Sequence, residues 1–225
     1  VGTFIKGRID YLRGEEQTGR EWFEMIDHGE NAGRTLRAFC EMDDVGLSRD
    51  VSMLLDANGR PRDAFCRVVK HGARTGTTLF LCEDGQLECE GEITATGRVS
   101  QRVPVDGQLG YLGLHPLVGD ALVALSRGTD EKGTFRTVHG LANSVAPAGD
   151  EGLYAMPTAI DVAYLGEESV TVPAGTFAAR RYALRWHPEW DPAQLWVHGP
   201  DALFLRLTWD QIGAAYELVE LHEGR

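Results

Sequence analysis

His115 and Asp120 stand about one helical turn apart in the run Leu112-Gly-Leu-His115-Pro116-Leu-Val-Gly-Asp120-Ala-Leu-Val-Ala-Leu125. A histidine titrates near neutral pH, and a neighbouring carboxylate fixes its tautomer and raises its basicity, so the pair reads as a general base with its orienting acid. Arg37 and Arg181 are the candidates to stabilise a developing oxyanion, because a fixed cation in a dry pocket acts far more strongly than one in water. Glu41 is the alternative base. The plainer alternative is that His115 closes the end of a helix while Asp120 faces water.

Ligand contacts are sought among the residues that strand alternation places together, since successive side chains of a strand face opposite sides of the sheet. In 34–43, Leu36, Ala38, Cys40 and Met42 share one face and look like dry core, while Thr35, Arg37, Phe39 and Glu41 share the other. That second face reads either as the lining of a polar cavity or as an exposed face with a salt pair. Arg49 and Asp50 open the next strand, where they would orient a ligand or solvate a strand end. Tyr182 and Trp186 alternate with Arg181, which has small apolar neighbours. His187 follows in Trp186-His187-Pro-Glu189-Trp190, which offers rings to stack on a planar ligand or forms a loop anchored by two Trp rings.

The elements that must position these groups are mostly strands. Runs at 3–11, 20–27, 34–43, 49–56, 62–70, 77–82, 86–94 and 97–105 alternate as strands and are separated by short polar turns, most of them carrying Gly, such as Asp56-Ala-Asn58-Gly59 and Glu83-Asp84-Gly85. Strands joined so closely pair as antiparallel neighbours. A helix is predicted near 115–126, with Pro116 in its first turn and Leu117, Ala121, Leu122 and Leu125 on one stripe. The stretch 127–157 reads mostly as loop with a short strand at 134–139, and strands return at 159–165, 169–172, 176–186, 194–198, 203–208 and 214–221. The prediction is one all-β domain over 1–225: a curved antiparallel meander forming a barrel or half-barrel, with one helix packed on or in its mouth.

Composition narrows the function classes. The chain has 225 residues and a formal net charge of −12, and no basic stripe, which argues against a nucleic-acid partner. No apolar run is long enough to span a membrane. Cys40, Cys66, Cys82 and Cys89 have no C-x-x-C spacing and sit within predicted strands, so free buried thiols in a reducing cytoplasm are expected. Val1-Gly-Thr-Phe-Ile-Lys lacks the apolar core of a signal peptide. There is no G-x-S-x-G, G-x-x-x-x-G-K-[ST] or G-x-G-x-x-G, and no H-x-H or H-x-x-x-H, so the sequence predicts no cofactor and no metal.

The run Val170-Thr-Val-Pro-Ala-Gly-Thr-Phe177, with the later Tyr216-Glu-Leu-Val-Glu220, resembles an uncharacterised family of bacterial, mostly exported, β proteins that carry Val-x-Val-Pro-Ala-Gly-Thr-Phe. The resemblance lies within the C-terminal third and covers about a quarter of the chain. It implies a curved antiparallel sheet or half-barrel, and it brings no catalytic residues with it.

These readings lead to one leading expectation, a cofactor-independent lyase or isomerase acting on a hydrophobic, aromatic small molecule by acid/base chemistry in the barrel cavity. The alternative is a carrier that holds an apolar molecule or lipid unchanged, told apart by whether ionisable groups converge on the cavity. An envelope assembly role is the third reading, carried by the resemblance alone. Several long strands and five Trp residues are also compatible with a homo-oligomer that buries a sheet edge.

Overall fold

Turns reverse this chain so often that successive strands pair with their neighbours in sequence. The computed structural model describes residues 3–29, 31–144 and 153–224. Its first half runs β1 (Phe4–Arg13), β2 (Glu16–Asp27), β3 (Arg34–Met42), β4 (Leu47–Leu55), β5 (Pro61–Lys70), β6 (Ala73–Glu83), β7 (Gln86–Ile93) and β8 (Gly97–Pro104). Its second half runs β9 (Leu112–Gly113), α1 (Leu117–Asp120), α2 (Val123–Arg127), β10 (Phe135–Ala142), β11 (Met156–Val172), β12 (Gly175–Arg185), β13 (Ala193–His198), β14 (Leu203–Trp209) and β15 (Ala214–Gly224).

Among the described residues these strands form one sheet in the order β8-β7-β6-β5-β4-β3-β2-β1-β15-β14-β13-β12-β11-β10-β9. The predicted all-β architecture is therefore the observed one, a large curved sheet whose edges are not joined by strand pairing. β1 lies at its centre, pairing with β2 on one side and with β15 on the other. The two ends of the chain thus lock two meanders together. The edge at β8 is bridged by a side chain: Gln101 Oε1 accepts the Ala155 N–H at 2.9 Å, and Gln101 Nε2 donates to the Ala155 carbonyl at 3.3 Å.

Alternation decides what each strand buries. In β4, Leu47, Arg49, Val51, Met53 and Leu55 are buried, and the residues between them are half-exposed. Gly46, before β4, has φ +61°, and a Cβ there would lie 2.4 Å from the His71 ring. Only glycine fits that turn.

Several elements differ from the sequence prediction. The helix predicted over 115–126 starts after Pro116, and it is two short pieces because the bonds from Leu122 N–H to Gly119 and from Ala124 N–H to Ala121 are of the tighter three-residue kind. It has no polar stripe; Leu117, Val118, Ala121, Leu122, Val123 and Ala124 are all buried. A segment apolar all round plugs the sheet rather than lying on it. The strand predicted at 134–139 is β10, two residues longer and running on to Ala142, and it pairs in parallel with β9. The strands predicted at 159–165 and 169–172 are one strand, β11, bulged at Leu165 just before Gly166, where φ is +116°. Part of the predicted loop, 145–152, lies outside the described residues, as do Val1 and Gly2.

All four cysteines are free and buried, as expected. No helix among the described residues is long and apolar enough to cross a membrane.

Candidate functional site

The site begins with a carboxylate on the wrong side of a strand. In β2, Glu21 shares its face with Phe23 and Met25 and is fully buried with them. Its oxygens are satisfied from three directions. Oε2 accepts the Leu117 N–H at 2.7 Å and the Tyr11 hydroxyl at 2.9 Å, Oε1 accepts the Val118 N–H at 3.0 Å, and the Cys40 thiol lies at 3.7 Å. Pro116, which precedes α1, has no side-chain acceptor, so the first N–H groups of α1 would otherwise be orphaned. Glu21 supplies the missing cap from the sheet. Burial pushes its carboxyl from the ordinary 4.5 up to about 7, against the pull of the two N–H groups and Tyr11, while the Asp120 charge adds to the rise.

A second acid lies on the far side of the same turn. Asp120 Oδ1 accepts the Tyr111 hydroxyl at 2.9 Å. Burial raises this carboxyl from 3.8 to about 6, tempered by the Tyr111 hydrogen bond and the positive charge of Arg49. Both phenols, Tyr11 and Tyr111, are pushed well above their ordinary 10 by burial and by neighbouring acids, so they remain neutral donors. Arg49, carried inward by β4, is 1% exposed. Its charge also lowers the Cys66 thiol, which burial nevertheless holds at about 11.

Of these groups Asp120, Arg49, Tyr11 and Tyr111 border a cavity of about 390 Å³ on the concave side of the sheet, while Glu21 lies behind its wall. Its remaining walls are largely apolar and aromatic, with Leu117, Ile160, Leu207 and Tyr216 beside the two phenols and with Trp186, Trp190 and Trp209, while Ser144, Thr158 and His187 add polar groups. The Trp209 ring lies 4.8 Å from Trp186 and 5.7 Å from Trp190, and its indole N–H donates to the Asp191 carbonyl at 3.1 Å. Tyr11 meets Tyr216 edge to face at 5.2 Å. His115 also lines the cavity, and its φ of +75° is a left-handed conformation rare for a residue with a Cβ. Such strain tends to collect at functional positions.

Five residues proposed from sequence, His115, Asp120, Arg49, Trp186 and His187, therefore border one cavity. The others do not reach it. On β3, Leu36, Ala38 and Cys40 are buried as expected, with Cys40 and Met42 also lining the cavity, whereas Arg37, Phe39 and Glu41 take the alternative reading, an outer face with salt pairs, where Arg37 and Phe39 border only a shallow groove. Arg37 pairs with Glu24 at 3.7 Å, Glu41 with Arg20 at 3.6 Å and Asp50 with Arg67 at 3.7 Å, and Phe39 stacks on exposed Trp22. Arg181 lies over the Trp196 ring and reaches Gln194 at 3.1 Å, outside the cavity. Tyr182 is fully buried against Tyr164 and lines no part of the cavity. Water solvates Arg37, Glu41 and Asp50 cheaply where they are, so these charges belong on the convex side.

Glu21, Tyr11, Tyr111 and Trp209 were not singled out from sequence, whereas Trp190 was read with Trp186 as one of two rings of a loop. The signal for Glu21 is parity: it is a charged residue in the apolar register of its own strand, as Arg49 is in β4. Among the described residues no group of three or more His, Cys, Asp or Glu is placed to hold a metal ion.

No family model matches the sequence, and no curated protein does. The fold has solved counterparts. The crystal structure of a β-barrel-like protein of domain of unknown function DUF1849 from Brucella abortus is similar over 100% of this chain and 98% of that one, with a TM-score of 0.57 at 13% identity. A DUF1089 family protein from Pseudomonas aeruginosa aligns over 82% of this chain and 87% of that one, with a TM-score of 0.49 at 13% identity. The first likeness defines the class of this chain as a β-barrel-like fold.

Proposed function

We propose that this protein binds a small, largely apolar, ring-bearing molecule in the cavity between the concave sheet and the α1–α2 plug. One observation carries the reading: about 390 Å³ of space is walled by three Trp and three Tyr side chains, with a few polar groups gathered beside α1. That is the usual make-up of a small-molecule site, apolar walls for affinity and a few polar groups for orientation. The plug is fixed to the sheet by Glu21, so the cavity is preformed and binding need not order it.

The test is titration with N-phenyl-1-naphthylamine, a neutral dye whose emission rises in apolar surroundings. Saturable one-to-one binding is expected, weakened at least about fivefold by Trp190→Ala through loss of ring contact. Emission that never saturates, or that is indifferent to Trp190, contradicts the reading.

A second reading, proton-transfer catalysis of the lyase or isomerase kind, is favoured by one observation. His115 and Asp120 border the same cavity, and the Asp120 carboxyl is raised to about 6, near the range suited to a general base. Conversion of a bound compound, abolished by Asp120→Asn and by His115→Ala, would establish it.

The four buried free thiols support residence in a reducing compartment. The run 170–177 forms the β11–β12 hairpin, with Val170 paired to Phe177, which suits the family resemblance seen in the sequence.

A further inference from the structure

We propose that the ligand of this cavity carries a protonated amine, seated against the indole faces of Trp186, Trp190 and Trp209 and directed toward the Asp120 carboxylate, with an apolar ring body filling the remaining space. The inference rests on the binding reading above and names the chemistry of the ligand.

The first argument is the walls. Trp186 and Trp190 are inclined to Trp209 by 39° and 49°. Rings tilted in this way wall a concave space instead of stacking flat, and the negative face of an indole attracts a cation more strongly than any other side-chain ring does. Tyr11, Tyr111 and Tyr216 extend the aromatic lining around the same space.

The second argument is charge. Arg49 is the lining guanidinium, and its charge already acts on Asp120. Glu21, bound to the Leu117 N–H behind the wall, is near enough for its charge and that of Asp120 to interact, and His115 is half-buried in the wall with His187 exposed at the rim. An anionic ligand would have to compete with Asp120 for Arg49, whose charge already acts on that acid. An ammonium group would instead stabilise the Asp120 carboxylate, whose charged form burial disfavours. Arg37 and Arg181, the further cations an anion would have wanted, are outside the cavity. The net charge of −12 also draws cations toward the molecule at long range.

The experiment compares three ligands with one ring system: 2-naphthylmethylamine, 2-naphthylmethanol and 2-naphthoate, each titrated by calorimetry at pH 7.5 into the whole protein. The amine is expected to bind at least about tenfold more tightly than the alcohol and the alcohol more tightly than the naphthoate. Asp120→Asn, which can still accept the Tyr111 hydroxyl, should shrink the amine's advantage over the alcohol to about twofold, and Trp190→Leu should reduce it independently. Equal or tighter binding of the alcohol or the naphthoate overturns the amine assignment while leaving the binding reading intact. Failure of all three to bind overturns both.

Discussion

The Glu21 carboxylate accepts the backbone N–H of Leu117 at 2.7 Å across 96 positions of sequence. This bond joins the centre of the sheet to the first turn of the plug. It also places Asp120 and His115, on either side of that turn, against the cavity rather than in water.

Removing the cap should therefore loosen the plug. Glu21→Ala leaves the Leu117 and Val118 N–H groups buried without their acceptor, at an expected cost on the order of 3 kcal/mol. Glu21→Gln keeps one acceptor oxygen and should cost roughly half as much. Urea unfolding of the two variants checks the order; equal, negligible losses would show that the cap does not matter.

Stability should fall as pH rises through neutrality. The folded protein holds the Glu21 proton with a pKa of about 7 and the Asp120 proton with one of about 6, against 4.5 and 3.8 ordinarily. Between those values the folded state binds more protons than the unfolded chain, so each step up in pH favours unfolding. The loss begins near pH 4, is complete above about pH 7 for these two groups, and should be flattened in Glu21→Gln. Chemical denaturation at pH 5 and pH 8 measures it.

The thiols should be inert in the folded protein. Burial raises Cys66 and Cys89 to about 11, Cys82 to about 12, and Cys40 well above its ordinary 9. The thiolate is the reactive form, so a disulfide reagent at pH 8 should modify none of the four until denaturant is added, and then all four.

Convex-face charges should be dispensable. Arg37→Ala and Glu41→Gln remove exposed ion pairs and are expected to change stability by less than about 0.5 kcal/mol. Dye affinity should stay within about twofold of the unmodified protein, since neither residue lines the cavity. A larger loss in the titration would place the ligand on the convex face.

Most of the fold was legible because strand alternation and glycine turns are local signals, and they located β1 to β8 and most of β11 to β15. The plug was harder to read. Its apolar stripe suggested an amphipathic helix, but Val118 and Val123, off that stripe, are buried too, and only the enclosing sheet explains why. The site was legible where a residue sat in the helix segment, as His115 and Asp120 do, or at the end of a strand, as Arg49 and Trp186 do. It was misread on β3, because parity tells which residues share a face and not which face turns inward. The polar Arg37 face resembled a cavity lining, while Glu21, which does turn inward, was hidden among apolar neighbours; Arg49 was found through its place at a strand opening. Glu21 depends on a partner 96 residues away, which no local pattern contains.

The central claim is that the cavity, and not another surface, takes a ring-bearing ligand. The five Trp residues give it a direct readout, since each indole N–H gives its own signal in a proton–nitrogen correlation spectrum. Titration with N-phenyl-1-naphthylamine should move the signals of Trp186, Trp190 and Trp209, which line the cavity, and leave that of Trp22, exposed on the convex face, in place. Movement of Trp22 with the three cavity signals unchanged would contradict the account.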